Sequence, residues 1–390
     1  QIPEWQDERQ TGYIFWPTFA AGQIWAQGVD IRRVETPDLA AYLISEAAAL
    51  QQLATAINDP GAYEIGGRTN DLLRLLEQMW YEPKNRYAYQ DRDTGQITAG
   101  KSLVQDARGD EEQILAMVLD VPSRLTIGVS GGGGRVPNAE VTITGVSANG
   151  EKQTETAALE DFAWRYGRGS FTSQHTYASV DRVGFSGLSR VFRFNVQTVD
   201  FTRFDLNALM PLMASALSDE RAAALIAHLN DGDRFLRPNG LTLVAADDPG
   251  FDPAGANGGG GVWPYWTTLI AESLLRWGES KLAVDMFKRL VTAQIAVLKK
   301  TKQFSEFYHA DEHLGLGDEG RITGAVPLYL FSQLIGLYIR DGRNVTVTAG
   351  FAWGEPITIK QHGVIVQRST SGTEITFASG NTVKLAADAP

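Results

Sequence analysis

The stretch TPDLAAYLISEAAALQQLATAI, Thr36–Ile57, repeats apolar residues at helical spacing behind Thr36, a favourable N-cap, and Pro37, suited to the first helical position. Asn58-Asp59-Pro60-Gly61 ends it. Working outward, RTNDLLRLLEQMWYE (Arg68–Glu82) reads as a second helix that stops before Pro83, and Asp110–Val118 as a shorter third. Helical signals return at Phe204–Asp231, as two helices broken near Ser218. They continue through VWPYWTTLIAESLLRWG, SKLAVDMFKRLVTAQIAVLKK and TGAVPLYLFSQLIGLYI to about Arg340. Antiparallel helices joined by irregular aromatic- and glycine-rich loops predict helical-hairpin packing, either a solenoid or a closed α/α toroid. No repeat of fixed length is visible, which disfavours a regular solenoid.

Between these helical parts the pattern changes. From about Ser123 to Asp200 the segments RLTIGVS, AEVTITGVS and RVFRFNVQTV alternate with a period of two, separated by GGGG (Gly131–Gly134), ANG and FSGLS. That spacing predicts a small antiparallel sandwich. The tail from Val345 is again short strands. The expected domains are therefore residues 1–120 (helical), 121–201 (inserted sandwich), 202–342 (helical, second part) and 343–390 (small β domain).

Composition narrows the function. The chain has 390 residues, 43% hydrophobic and 21% charged, with a net charge of −11. Such an acidic chain has no basic face to neutralise phosphates, which argues against nucleic-acid or anionic-membrane partners. No apolar run approaches the roughly 20 residues of a membrane span. With no cysteine, disulfides, thiolate metal sites and a cysteine nucleophile are excluded. A soluble protein is expected, its compartment not readable. The abrupt opening QIPEWQDERQTGY, without an initiator Met, reads as a processed or excised start.

Three loops place aromatics beside carboxylates or bare backbone: Pro3–Pro17, Gly258–Trp266 and Gln303–Leu328. Indole faces stack on sugar rings while carboxylates and Arg hydrogen-bond hydroxyls, so this composition predicts a carbohydrate cleft. In QFSEFYHADEHLGLGDEGRITGAVPL, the acids Asp311, Glu312, Asp318 and Glu319 offer oxygen ligands of the kind calcium takes. They lack EF-hand spacing, and His309 and His313 lack the Glu of a zinc-binding HExxH helix. No metal or cofactor is predicted.

The segments EWQDE, TPDLAAYLISEAAALQQLA, LLEQMWYEPKNRYAY, FLRPNGLTLVAADDPGFDP, GGGVWPYWTTLIAESLLRWG and EFYHADEHLGLG, in that order, resemble the clan G inverting glycoside hydrolases. The likeness is to glycoside hydrolase family 63 and its bacterial mannosylglycerate-hydrolase-like members, with trehalases and glycogen-debranching glucosidases more distant. It covers Pro3–Ala107 and Phe204–Ile339, outside the sheet regions. The resemblance implies a mainly α fold: an (α/α)6-toroid-type helical domain, incomplete at its N-terminus. The inserted immunoglobulin-like β-sandwich and small C-terminal β domain would be additions to it.

The resemblance also implies a glycoside substrate of α-linked glucose or mannose type, and two carboxylates. The general acid matches Asp7, although Asp-Glu-Arg-Gln replaces the family's Asp-Asn-Ser-Pro, which leaves Glu8 and Glu4 as alternatives. The general base matches Glu306. Inversion sets such a pair about 6.5–9.5 Å apart. Trp5, Arg9, Gln10, Tyr13, Trp16, Trp263, Trp266, Tyr308 and His309 are the expected sugar-binding residues. Two rivals remain. One is a non-catalytic carbohydrate-binding or assembly protein; the other is a polysaccharide lyase using Tyr308 and His309.

Overall fold

The computed structural model describes residues 4–387 apart from Ser215 and Asp233. Pro3 of the first loop and the last three residues of the expected C-terminal domain lie outside that set. The helices are α1 (Pro37–Ala56), α2 (Ala62–Gln78), α3 (Asp219–Asn230), α4 (Pro264–Arg276), α5 (Ser280–Thr301) and α6 (Leu328–Leu334). The chain divides into two compact units, Gln1–Ala227 with Leu243–Gly260, and His228–Thr242 with Gly261–Pro390. No helix among the described residues is long and apolar enough to cross a membrane.

In the first unit, Pro37 stands at the start of α1 behind Thr36, where a missing N–H costs nothing. α1 buries Ala40, Ala41 and Ile44 on one stripe and packs against α2. Its chain exit is at Asn58, in the left-handed region at φ 57°.

Strands β1 (Ser102–Arg108), β2 (Gln113–Ser123), β3 (Leu125–Ser130), β4 (Glu140–Val146) and β5 (Lys152–Ala158) open a sandwich. Strands β6 (Ala163–Arg165), β7 (Arg168–Thr172), β8 (Tyr177–Ser186) and β9 (Arg193–Thr198) complete it. One sheet has the order β6-β7-β3-β9-β1 and the other β2-β8-β4-β5, and every pairing is antiparallel. Ile127, Val141, Ile143, Val183, Phe194 and Val196, inward on alternate positions, fill the space between the sheets.

Arg124, at the mouth of the sandwich, is 1% exposed. It donates from Nε to Asp91 (2.5 Å), from Nη1 to the carbonyls of Ser173 and Gln174, and from Nη2 to Asp93. Removing one partner of a buried, hydrogen-bonded ion pair strands the other charge. Arg124→Met is therefore expected to destabilise this unit by about 3–5 kcal/mol, read as a lowered midpoint in urea denaturation.

The second unit is built on α4 and α5. Ala283, Phe287, Leu290, Ala293 and Val297 of α5 form the buried stripe of an amphipathic helix, and α4 packs along it. A hairpin, β10 (Ser305–Tyr308) with β11 (Gly315–Glu319), follows with a register shift between Ser305 and Phe307. After α6, β12 (Ile357–Gln361), β13 (Val364–Ser369), β14 (Gly372–Thr376) and β15 (Thr382–Ala386) form a meander. Its core is Val364, Val366 and Ile375 with Trp353 and Phe331.

The expected mainly α toroid is not the fold. Six α-helices accompany twenty-three strands among the described residues, too few for six hairpins. Two segments account for much of the error. Asp110–Val118, expected as helix, lies largely in β2, where burial alternates residue by residue along Gln113–Val118. The first half of Phe204–Asp231 is two short 3-10 turns, Leu206–Ala208 and Met210–Met213, the second carrying Pro211 in its first turn.

Candidate active site

The loop before α1 holds the first group of expected residues. Asp7 caps a 3-10 turn, Glu8–Thr11, in which its Oδ1 accepts the Arg9 backbone N–H (2.9 Å) and Gln10 reciprocates from its side chain. The Arg9 guanidinium adds two bonds, Nε to Oδ1 (2.8 Å) and Nη2 to Oδ2 (2.7 Å). These donors all favour the anion and hold the Asp7 carboxyl far below the usual carboxylate range.

Glu8 has the opposite setting. Its side chain is 12% exposed, with the Arg165 Nη2 of β6 at 3.3 Å. Burial pushes its carboxyl up to about 7, outweighing the opposing pull of Arg165, and the Asp7 charge adds to the rise. Glu4 pairs with Arg92. A cleft of about 640 Å³ opens beside this loop, lined by Asp7, Glu8, Arg33, Phe171 and Arg165 among others. That size is ordinary for small-ligand sites, about 300–1,000 Å³.

Trp5 is half-buried. Tyr13 and Trp16 are 4% and 1% exposed, packed edge to face at 4.8 Å, with the Trp16 indole N–H donating to Thr11 Oγ1. They are core side chains of the first unit.

The second group lies on and around the β10–β11 hairpin of the other unit. Glu306 is half-buried on β10, and its Oε2 accepts the Asp318 backbone N–H at 3.2 Å. Gly317, at φ 72°, permits this approach, since a Cβ there would sit 2.5 Å from Glu306 Oε2. Phe307 stacks on Trp263 with centroids 4.5 Å apart and planes 7° from parallel. Gly261 leaves room for the Phe307 ring. Val262 and Tyr308 exchange backbone bonds of 2.7 and 3.0 Å, which fixes the α4 entry loop to β10.

Tyr308 is fully buried, its hydroxyl donating to the Gly324 carbonyl, and burial raises its pKa. Trp266, on α4, is 2% exposed. The backbone N–H groups of Asp311 and Glu312 donate to His309 Nδ1 (3.1 and 3.0 Å), which leaves Nε2 as that ring's donor in the neutral form.

Two residues that the sequence reading did not single out shape this turn. Asn239, 1% exposed, donates from Nδ2 to the carbonyls of His309 and Glu312. Arg237 Nε donates to Asp311 (2.8 Å). The turn signal Pro238-Asn239-Gly240 marked a bend but not its long-range partner. Asp318 pairs with Arg321, so two of the four acids weighed as calcium ligands are engaged by guanidinium groups.

Part of the chain is similar to known proteins. Residues 147–321 match the mannosylglycerate hydrolase MGH1-like glycoside hydrolase domain, a span that starts in the sandwich and includes Glu306 but not Asp7 or Glu8. The chain thus resembles the glycoside hydrolases of family 63. No curated protein matches it. Among solved structures it is similar to the family 63 mannosylglycerate hydrolase of Thermus thermophilus. The glucose complex is 16% identical with a TM-score of 0.42, covering 77% of this chain and 45% of that one. The Tris complex is 17% identical with the same TM-score and coverage. An uncharacterized conserved protein of that organism is 16% identical at TM-score 0.42, covering 77% and 47%. The chain spans less than half the length of these proteins.

Proposed function

We propose that the chain is a glycoside hydrolase cleaving α-linked glucose- or mannose-type glycosides with inversion. Glu306 is the general base in this reading, and the general acid comes from the Asp7-Glu8 pair. The observation that carries it is the family match across residues 147–321, which includes the hairpin where the Glu306 carboxylate is oriented by the Asp318 N–H. Trp263 and Phe307, stacked beside that hairpin, supply apolar surface of the kind a sugar ring packs on.

Of the three acid candidates, Glu4 is engaged by Arg92, and of the other two Glu8 is the better suited. A general acid has to carry its proton near neutral pH. Burial supports this at Glu8, whereas Arg9 holds Asp7 as an anion. Asp7 is then the cap and counter-charge that positions the turn. The acid protonates the departing glycosidic oxygen while Glu306 takes a proton from water attacking the opposite face, giving a product of inverted configuration.

Proton NMR of fresh product from α-glucosides and α-mannosides tests the reading. Release of the β-anomer supports it; release of the α-anomer overturns inversion, and no release on any α-glycoside overturns hydrolysis. The engagement of Asp7 by Arg9 also favours a second reading, a protein that binds sugar without cleaving it. Binding without product release would select that one.

A further inference from the structure

The outer face of the inserted sandwich carries a second cleft, which the chemistry above does not use. It measures about 490 Å³, within the range of small-ligand sites, and its floor is the sheet β6-β7-β3-β9-β1. Along β3, Leu125, Ile127 and Val129 belong to the core, so Thr126, Gly128 and Ser130 face outward and line the cleft. Ser170 of β7 and Asn195 of β9 continue that floor on either side. The loop Gly22–Gly28 forms the wall. Gln27 ties it down, its side chain donating to the Asp200 carbonyl (2.8 Å) and accepting the Asp200 N–H (2.7 Å).

Gly128 is the informative residue. It stands between Ser170 and Asn195, in the middle strand of five. A glycine inside a strand costs stability, and its usual reasons are a bulge, a bend or the close approach of another group. Both pairings of β3 run through Gly128 in unbroken register. Its φ lies outside the left-handed region, and a Cβ there would meet nothing within 4 Å. Neither backbone nor packing therefore requires glycine. What the missing side chain leaves is open depth at the centre of the cleft floor.

The lining selects a ligand class. Gln23, Gln105, Asn195 and Gln197 offer amides, and Ser102 and Ser130 offer hydroxyls. These groups both donate and accept, as neighbouring sugar hydroxyls do. The charged residues in the lining, Arg168 and Asp106, have opposite signs, so the cleft does not select an ion. Ile24, 74% exposed on the loop wall, gives an apolar edge for the C–H face of a ring. A peptide strand would add instead at a sheet edge, through backbone groups that this central strand has already paired.

We propose that this cleft is a second carbohydrate site, holding a stretch of neutral glycan on the sandwich with Gly128 as the open floor beneath one pyranose ring. The place of the site follows from the cleft and its glycine, and the ligand class rests on the glycoside reading.

Calorimetric titration with sulfur-linked α-gluco- and α-manno-tetrasaccharides, which resist hydrolysis, tests the site, with thermal melts in parallel. Gly128→Val fills the floor with a good strand former. It should weaken one binding component of the wild-type isotherm at least about tenfold, the scale of a steric clash, while the melting temperature holds or rises. Gln197→Ala should weaken the same component about fivefold, the scale of one hydrogen bond. Unchanged binding in both variants would overturn the site. Should Gly128→Val lower the melting temperature, Gln197→Ala decides alone. A wild-type chain that hydrolyses α-glycosides but binds neither tetrasaccharide overturns this site and keeps the glycoside reading. One that neither binds nor hydrolyses overturns both.

Discussion

Glu306→Gln should lower turnover by about 10²–10⁴-fold with sugar affinity largely kept, the usual share of a general base. The substitution is nearly isosteric, and its amide oxygen still accepts the Asp318 N–H that Oε2 accepts in the native chain. The hairpin should therefore keep its shape. What disappears is the capacity to take a proton from the attacking water, an interaction made only in the transition state, so kcat should fall while KM stays. Gly317→Ala approaches the same group differently. It leaves the carboxylate but sets a Cβ 2.5 Å from Oε2 on a backbone at φ 72°. The carboxylate must move, and turnover should fall by about tenfold or more, as small displacements of reacting groups do. Hydrolysis near wild type in Glu306→Gln would show that the base lies elsewhere.

Local elements were legible in this sequence where one pattern dominated. Pro37 and the alanine-rich repeat behind it have one good conformation, as does the apolar stripe of α5. The alternating strands around Val129 and Ile143 likewise match a half-buried sheet. Legibility failed where tertiary pairing overrode a short ambiguous run. Gln113–Val118 suits a helix in isolation, but its ladder partner is β8, distant in the chain. At Met210–Met213 a single proline in an apolar stretch was enough to leave one tight turn in place of a helix.

The aromatic residues show the same limit at the site. Trp16 and Trp266 beside carboxylates read like Trp263, yet the first two are buried in packing while Trp263 stacks on Phe307. Composition cannot distinguish a sugar platform from a core side chain, because both use the same apolar ring. The acid was ambiguous for a related reason. Asp7 and Glu8 are adjacent, and what separates them is the depth of burial at Glu8 and the Arg9 guanidinium bonded to Asp7.

That separation yields the second large effect. Glu8→Gln should cut hydrolysis of glycosides with poor leaving groups by about 10²–10⁴-fold, the range of a lost general acid. Activated aryl glycosides and glycosyl fluorides should be spared, since their leaving groups depart without a proton. The pH dependence has a fixed sign. Burial holds the Glu8 carboxyl at about 7, so the proton is present below that pH and lost as pH rises through it. The wild-type kcat/KM should accordingly fall on the alkaline side of about pH 7, and Glu8→Gln should abolish that limb. Asp7→Asn instead weakens the Arg9 ion pair, with the amide oxygen still able to cap the turn, while leaving Glu8 able to protonate. Its loss should be far smaller, equal for good and poor leaving groups, with the alkaline limb retained. Leaving-group-selective collapse in Asp7→Asn, with Glu8→Gln active on ordinary glycosides, would return the acid to Asp7. Arg9 would then have to release that carboxylate when substrate binds. An anion held by the Arg9 N–H and guanidinium cannot donate a proton it does not carry.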